Sequence, residues 1–220
     1  MRSVIFDLDG TLADTSRDLC AAANACFREL GLGDLLDHAT DAGTAMRGGR
    51  AMLTLGFSRA GGVDPAEVDR QYPRLLSHYA QNIAEHTKLY PGAMGAVLQL
   101  RAMGYAVGIC TNKPEALAED LLQKLGVRDA FGCLVGADTL PTRKPDPAPF
   151  YEAVRRLGGD PARSCLVGDS ATDRKTAENA GVPSLLVTFG PEGPDMPALN
   201  PQVLVAHFDD LPALVHALEL

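Results

Sequence analysis

A short apolar run, Val4 to Phe6, ends in two aspartates, Asp7 and Asp9, followed by a glycine. The run has the length and residue types of a buried strand. Acidic side chains at the end of a buried strand are costly unless they are paired, hydrogen-bonded or metal-bound. An Asp-Gly pair also favours a type I′ hairpin turn, but residues 12–19 lack the alternation that a second strand requires. The motif therefore predicts a functional site rather than a hairpin.

The pattern of the chain changes near Tyr90. Residues from Asp14 to about Thr87 have apolar side chains at helical spacing, with helices expected near 19–30, 50–55 and 65–83, and no strand pattern. From Tyr90 onward, strands alternate with helices, which predicts a parallel sheet with right-handed crossovers. The expected strands are 105–110, 133–135, 164–167, 184–187 and 203–205. The expected helices are 91–100, 114–125, 147–157, 171–180 and 211–218.

The helical block is too long to be a simple connection between two strands. We therefore predict an α/β fold with a Rossmann-like parallel sheet and helices on both faces, formed by residues 1–14 and 88–220. Residues 15–87 are expected to form an inserted α-helical domain.

Composition excludes several classes of protein. No apolar run approaches the roughly 20 residues that span a bilayer, and the first strand starts too close to Met1 to leave room for a signal peptide. The net charge is −8 and no Lys/Arg cluster is present, which argues against nucleic-acid binding. The five cysteines form no C-x-x-C pair, and the five histidines show no metal-ligand spacing. We expect a cytoplasmic protein with buried free thiols and neither nucleic acid nor membrane as a partner.

Three more polar clusters accompany the predicted strands. Thr111 and Asn112 follow one strand, Asp169 follows another with Asp173 four residues later, and Lys144 lies between them beside prolines. Each has an ordinary explanation: a helix cap, a capping box that ends at the last aspartate, or a surface lysine. Because the carboxyl ends of parallel strands meet at one edge of the sheet, we expect these groups to lie together. Carboxylates, a hydroxyl, an amide and a lysine at one edge, with a metal ion, form a set suited to phosphate chemistry.

The chain resembles the haloacid dehalogenase superfamily of phosphohydrolases over its whole length, and its helical insert resembles the smaller α-helical cap of that family. The resemblance is carried by the order of four motifs, Asp7-x-Asp9-Gly10-Thr11-Leu12-x-Asp14, Thr111-Asn112, Lys144-Pro145 and Gly168-Asp169-x-x-x-Asp173. Within the superfamily, residues 14–19, 89–92 and 110–113 are most similar to phosphoglycolate phosphatases.

The resemblance implies a mechanism. Asp7 would be the nucleophile that forms an aspartyl phosphate, and Asp9 the general acid and then the base. Thr111 and Lys144 would complete the catalytic set. The implied cofactor is Mg²⁺, with metal site residues Asp7, Asp9 through its backbone carbonyl, Asp169 and Asp173. The residues expected to bind substrate are Gly10, Thr11, Asn112, Arg47 and Arg50.

The two arginines belong to a glycine-rich basic turn at residues 46–50, which resembles the cap loop that faces the active site in this family. Arg47 and Arg50 could clamp a substrate carboxylate, because guanidinium groups bind carboxylates as planar forks. The alternative is a solvated turn between two helices. The expected partner is a small phosphorylated metabolite, with 2-phosphoglycolate as the first choice.

Other members of the superfamily fit less well. Dehalogenases lack the second acid, Asp9, and phosphonate-cleaving relatives use a cap lysine that residues 15–87 do not contain. Sugar-phosphate mutases commonly carry a histidine soon after the first motif, and residues 15–18 have none. A sugar-phosphate phosphatase or a β-phosphoglucomutase-like phosphomutase remains the alternative. A non-catalytic phosphate-binding regulator would be expected to lose Asp7, Asp9 or Asp169, and all three are present.

Overall fold

The computed structural model describes residues 1–220, and the chain divides into two units. The core unit combines Met1–Ala13 with Leu89–Leu220, and the helical unit is Asp14–Lys88.

Eight strands form two sheets, and all but two short ones belong to the main sheet. The strands are β1 (Ser3–Phe6), β2 (Ala13–Asp14), β3 (Lys88–Leu89), β4 (Ala106–Cys110), β5 (Leu134–Val135), β6 (Ser164–Gly168), β7 (Ser184–Val187) and β8 (Val203–Val205). The main sheet is parallel throughout, as the sequence predicted. Strands β1, β6 and β7 are buried along their whole length, which explains why each reads as a continuous apolar run.

The strand order of the main sheet is β5-β4-β1-β6-β7-β8. From β1 the chain moves outward through β4 to β5, then returns to the other side of β1 and continues through β6 and β7 to β8. The order therefore reverses between β1 and β6, which pair in register from Ser3 with Ser164 to Phe6 with Val167. Ligands of open α/β sheets bind outside the carboxyl ends of the strands at such a reversal point.

Nine α-helices accompany the strands. They are α1 (Ser16–Glu29), α2 (His38–Met46), α3 (Gly49–Arg59), α4 (Pro65–Gln81), α5 (Ala93–Ala102), α6 (Glu115–Lys124), α7 (Ala148–Arg156), α8 (Ala171–Ala180) and α9 (Leu211–His216). In the core unit, Phe150 of α7 and Ala177 of α8 belong to one buried cluster with Ile5 and Leu166 of the central strands. The flanking helices confirm the predicted α/β class.

The helical unit consists of α1 to α4. The ring of Phe27 in α1 meets that of Phe57 in α3 edge-on, with centroids 5.3 Å apart. A Cβ added at Gly56 would overlap the Phe27 ring, so α3 approaches α1 closely only because this residue has no side chain. Helix α2 was not predicted individually. Asp37 caps its N-terminus, because its side chain accepts a 2.7 Å hydrogen bond from the Ala39 amide.

Two buried acids tie the helical unit together. Asp18 of α1 accepts hydrogen bonds from the backbone amides of His86 and Thr87, at 3.0 and 2.9 Å, so the beginning and the end of the unit are joined. Asp41 of α2 accepts two hydrogen bonds from the Arg59 guanidinium, at 2.6 and 2.7 Å. The hydrogen bonds from Arg59 lower the pKa of Asp41, so the carboxylate stays ionised although it is buried.

Neither unit contains a helix with the length and apolar character needed to cross a membrane. All five cysteines are free and buried. Burial raises the pKa of each thiol, so these cysteines are packing residues rather than nucleophiles.

Candidate active site

Three strand ends of the core unit bring the motif residues together. Asp7 directly follows β1, Thr111 follows β4 and Asp169 follows β6. The backbone ladder continues through the first two of these residues, because the Asp7 amide donates to Val167 O and the Thr111 amide to Val135 O, each at 2.9 Å. The side chains are therefore fixed at the carboxyl edge of the sheet, next to the point where the strand order reverses.

Asp7, Asp169 and Asp173 form an acidic cluster at this edge. One oxygen atom from each carboxylate lies within 4.8 Å of the other two. Asp169 is 3% exposed and Asp173 is fully buried. A Cβ at Gly168 would overlap the side chain of Asp173, so the glycine before Asp169 is needed for the two acids to approach each other.

Asp173 is both a helix-capping partner and a member of the cluster. Its amide donates to Ser170 Oγ at 3.3 Å, and Ser170 Oγ donates to Asp173 Oδ2 at 2.6 Å. The Asp169 amide donates to the same carboxylate oxygen at 3.2 Å. The capping box predicted from the sequence is therefore present, and it orients the acid toward the cluster.

Lys144 supplies the positive charge of the cluster. Its buried ammonium donates to Asp173 Oδ1 at 2.6 Å and lies 3.1 Å from Asp7 Oδ1. Burial lowers the pKa of this lysine, but the charges of Asp173 and Asp7 outweigh burial and raise the pKa overall. Burial raises the pKa of Asp7 to about 6, against the opposing effect of Lys144. Burial, and then the charges of Asp173 and Asp7, raise the pKa of Asp169 well above its usual range.

The remaining core motif residues support this cluster. Thr11 Oγ1 donates to Asp169 Oδ1 at 2.7 Å, which links the first motif to the last. Asn112 Nδ2 donates to Lys144 O at 3.0 Å and so fixes the segment that carries the lysine. Gly10 has φ +79°, in the left-handed region, and its amide closes the turn by donating to Ala13 O at 2.9 Å.

The acidic cluster fits a magnesium ion. Mg²⁺ prefers carboxylate and other oxygen ligands and binds through a few carboxylates while retaining several waters. Asp7, Asp169 and Asp173 offer three such oxygens around one point. The Asp9 side chain is paired with Lys113. Any contribution of Asp9 to the metal site would therefore come from its backbone carbonyl.

Lys113 lies in the stretch 110–113 quoted for the resemblance, but the sequence analysis gave it no role in the site. Its Nζ lies 2.9 and 3.3 Å from the two carboxylate oxygens of Asp9. The lysine side chain is 4% exposed and the Asp9 side chain 19%. In the sequence Lys113 is a single lysine shortly before a predicted helix, and such lysines usually lie on the protein surface. The sequence did offer one indication that a second cation was needed: the motifs contain several aspartates but only one lysine, Lys144.

The two arginines of the basic turn make contacts within the helical unit. The Arg50 guanidinium pairs with Asp69, and its carbon lies 4.4 Å from the centre of the Tyr72 ring. Arg47 Nε lies 3.5 Å from Gly43 O and Nη2 lies 3.4 Å from Thr44 Oγ1. Both arginines are exposed. Their role in substrate binding stays a prediction.

A cavity of about 560 Å³ lies in the helical unit, and none of the motif residues lines it. It is lined by one face of α1, by residues 34–38, and by Arg59 and His86. Two of its arginines are already paired with acids, Arg28 with Asp34 and Arg59 with Asp41. The chemistry of the motifs therefore belongs to the sheet edge and not to this cavity.

Comparison with known proteins agrees with this geometry. Residues 4–187 match the family model for haloacid dehalogenase-like hydrolases. The chain is 38% identical over 209 residues to a phosphoglycolate phosphatase of Mesorhizobium japonicum, covering 94% of this chain and 92% of that protein. It is also 38% identical over 219 residues to the phosphoglycolate phosphatase of Agrobacterium fabrum, covering 97% and 91%.

Solved structures share the fold. A crystal structure described as a predicted phosphoglycolate phosphatase from Haemophilus somnus superposes with a TM-score of 0.82 at 24% identity, covering 97% of both chains. With the four motifs at one sheet edge and a family match over most of its length, the chain belongs to the haloacid dehalogenase-like hydrolase family, as a phosphatase.

Proposed function

We propose that the protein hydrolyses 2-phosphoglycolate in a Mg²⁺-dependent reaction that passes through an aspartyl phosphate on Asp7. The observation that carries the reaction class is the buried cluster of Asp7, Asp169 and Asp173 around Lys144 at the carboxyl edge of the sheet. The substrate rests on the similarity to phosphoglycolate phosphatases over nearly the whole chain.

Asp7 is oriented for nucleophilic attack. The Leu8 amide donates to Asp7 Oδ1 at 2.7 Å, and Lys144 Nζ is 3.1 Å from the same oxygen. Because Oδ1 has these two contacts, Oδ2 is the oxygen proposed to attack phosphorus. It forms a bond to the phosphorus atom as the bond from phosphorus to the glycolate oxygen breaks, which leaves the phosphoryl group on Asp7.

Asp9 moves the protons in both steps. In the first step its carboxyl group gives a proton to the departing glycolate oxygen. In the second step the resulting carboxylate takes a proton from water as the water oxygen attacks phosphorus. The bond to Asp7 then breaks, inorganic phosphate leaves, and both aspartates return to their starting state.

The rest of the site stabilises the phosphoryl group. Asp7, Asp169 and Asp173, with the backbone carbonyl of Asp9, would hold the Mg²⁺ ion. When bound, the ion offsets the repulsion between the anionic nucleophile and the anionic phosphate. Lys144, Thr111 and the backbone amides next to Gly10 would supply donors for the charge on the transferred group.

The proposal is tested by measuring phosphate release from 2-phosphoglycolate, ethyl phosphate, sugar phosphates and an aryl phosphate. We expect phosphoglycolate to be the best substrate, EDTA to abolish turnover and Mg²⁺ to restore it. Asp7→Asn should retain less than a few per cent of the rate, while the exposed control Asp129→Asn should retain all of it. Rapid quenching followed by mass spectrometry should find a phosphoryl group on Asp7.

Other results would contradict the proposal in different ways. Sugar phosphates hydrolysed ten times faster than phosphoglycolate would overturn the substrate. Interconversion of sugar phosphates without release of phosphate would indicate a mutase. Phosphate binding without turnover of any ester would indicate the non-catalytic regulator.

A further inference from the structure

We infer that Lys113, rather than an arginine of the helical unit, binds the carboxylate of the leaving group. The inference rests on the proposed function and deepens it. It names the residue that distinguishes a carboxylated phosphate ester from an uncharged one of the same size.

The backbone of Lys113 is fixed in the core unit. Its amide donates to Thr111 Oγ1 at 3.2 Å, and its carbonyl accepts a hydrogen bond from Ala137 at 3.0 Å. The side chain is almost wholly buried. A buried ammonium has a defined position, because its stem is packed and its charge must face an acceptor. Lys113 thus presents its charge at one place, beside Asp9.

That place is on the leaving-group side of the site. In the proposed reaction the Asp9 carboxyl must approach the glycolate oxygen to about 2.6–3.2 Å to transfer a proton. Lys113 Nζ is 2.9 Å from Asp9 Oδ1. In phosphoglycolate a single methylene separates the departing oxygen from the carboxylate. A carboxylate so close to that oxygen falls within reach of the Lys113 ammonium.

Lys113 can bind the substrate while keeping its hydrogen bond to Asp9. An ammonium carries three N–H donors and rotates freely about its terminal bond. It can therefore contact the carboxyl group of Asp9 and the carboxylate of the substrate at the same time. The contact with Asp9 holds Lys113 in place before substrate arrives, so little conformational entropy is lost on binding.

The other cations that could bind the carboxylate already have partners. Lys144 contacts Asp7 and Asp173, on the nucleophile side. Arg50 of the helical unit pairs with Asp69 and lies over Tyr72. Because the motifs place four aspartates at the edge of the sheet, an anionic leaving group needs a positive charge to be accepted there. Lys113 supplies that charge.

The experiment compares kcat/KM for 2-phosphoglycolate and for ethyl phosphate, in which a methyl group replaces the carboxylate. We expect Lys113→Met to reduce the ratio of the two values by about 10- to 150-fold, as for loss of a charge-assisted hydrogen bond, with KM for phosphoglycolate rising. The control Lys124→Met removes an exposed lysine of α6 that pairs with Asp120 and should change neither value. Arg47→Ala and Arg50→Ala should leave the ratio unchanged.

The possible results separate the inference from the proposed function. An equal fall on both substrates in Lys113→Met would mean that the lysine acts only through Asp9, which overturns the inference while phosphoglycolate hydrolysis stands. A collapse of the ratio in either arginine variant would also overturn it. A wild-type enzyme with no preference for phosphoglycolate would refute the proposed substrate instead. If Lys113→Met does not fold, Lys113→Gln replaces it, and a ratio unchanged in that variant overturns the inference.

Discussion

The acidic residues of the site are buried close to one another, and this lowers the stability of the metal-free protein. Burial raises the pKa of Asp7 from 3.8 to about 6. Between these values the folded protein holds a proton that the unfolded chain releases. The contribution of Asp7 to the free energy of unfolding therefore falls as the pH rises from about 4 to 6, and it stays low above that range.

Asp7→Asn removes this penalty together with the nucleophile. We predict that in EDTA at pH 8 the variant has a free energy of unfolding about 1–3 kcal/mol higher than that of the wild type. At pH 4 the two proteins should differ much less. Urea denaturation at both pH values measures the difference. A variant less stable than the wild type at pH 8 would show that the ion pair with Lys144 outweighs burial.

Asp9→Asn tests the proton-transfer role. General acid–base catalysis contributes about 10²- to 10⁴-fold, so we predict a fall in turnover of that size. Mg²⁺ binding, measured by calorimetry, should persist, because the expected ligand at this residue is the backbone carbonyl. Loss of Mg²⁺ binding with turnover intact would assign the side chain to the metal instead.

Thr11→Val tests the link between the first and last motifs. The valine keeps the shape of threonine but removes the hydrogen bond to Asp169. Loss of an outer partner of a metal ligand costs about 10- to 100-fold in metal affinity, so we predict a weakening of Mg²⁺ binding in that range. The exposed threonine of α3 gives the control, Thr54→Val. Equal affinities in both variants would exclude Asp169 as a metal ligand oriented by Thr11.

These residues differ in how far the sequence could identify them. Asp7, Asp169 and Thr111 each follow an apolar strand, and a parallel sheet brings such strand ends to one edge. Lys113 lies in the stretch 110–113 that resembles phosphoglycolate phosphatases, but its pairing with Asp9 was not predictable, because that contact depends on the side-by-side arrangement of β1 and β4. The contacts of Arg50 with Asp69 and Tyr72 likewise depend on how α3 and α4 meet.

At the level of elements, the strands of the main sheet were predictable because each contains a short apolar run, and all but the edge strand β8 are mostly buried. The two-residue strands β2 and β3 were missed because each contains a charged residue, Asp14 or Lys88, whereas the equally short β5 lies in an apolar run. Helix α2 was not predicted individually because it contains a glycine, two threonines and an aspartate among nine residues, and all of these have low helix propensity.

Two helical glycines provide a matched test of element packing. Gly56 of α3 faces the Phe27 ring, whereas a Cβ at Gly95 of α5 would meet nothing within 4 Å. We predict that Gly95→Ala stabilises the protein by about 0.5–1 kcal/mol through helix propensity. Gly56→Ala should destabilise it by about 1–3 kcal/mol through overpacking. Thermal denaturation measures both, and a stabilised Gly56→Ala would mean that the α1–α3 contact is loose.

At the level of the whole molecule, the division into two units follows from the order of helices and strands along the chain. One block of residues is helical throughout, and the remainder alternates strands and helices. The sequence showed this change of pattern near Tyr90, so the number of units was predictable. The strand order was not, because apolar runs of similar length do not indicate which of them lie at the centre of a sheet.

The short strands β2 and β3, which carry the chain out of the core unit and back into it, pair with each other. The inserted segment therefore begins and ends at neighbouring points. The core strands on either side need only be joined by a connection with adjacent ends, and the length of that connection matters little. Such a junction is modular: the inserted sequence can lengthen, shorten or be exchanged without changing the path of the chain on either side. Replacing residues 15–87 with a short glycine-serine linker should therefore leave a core that unfolds cooperatively and still binds Mg²⁺.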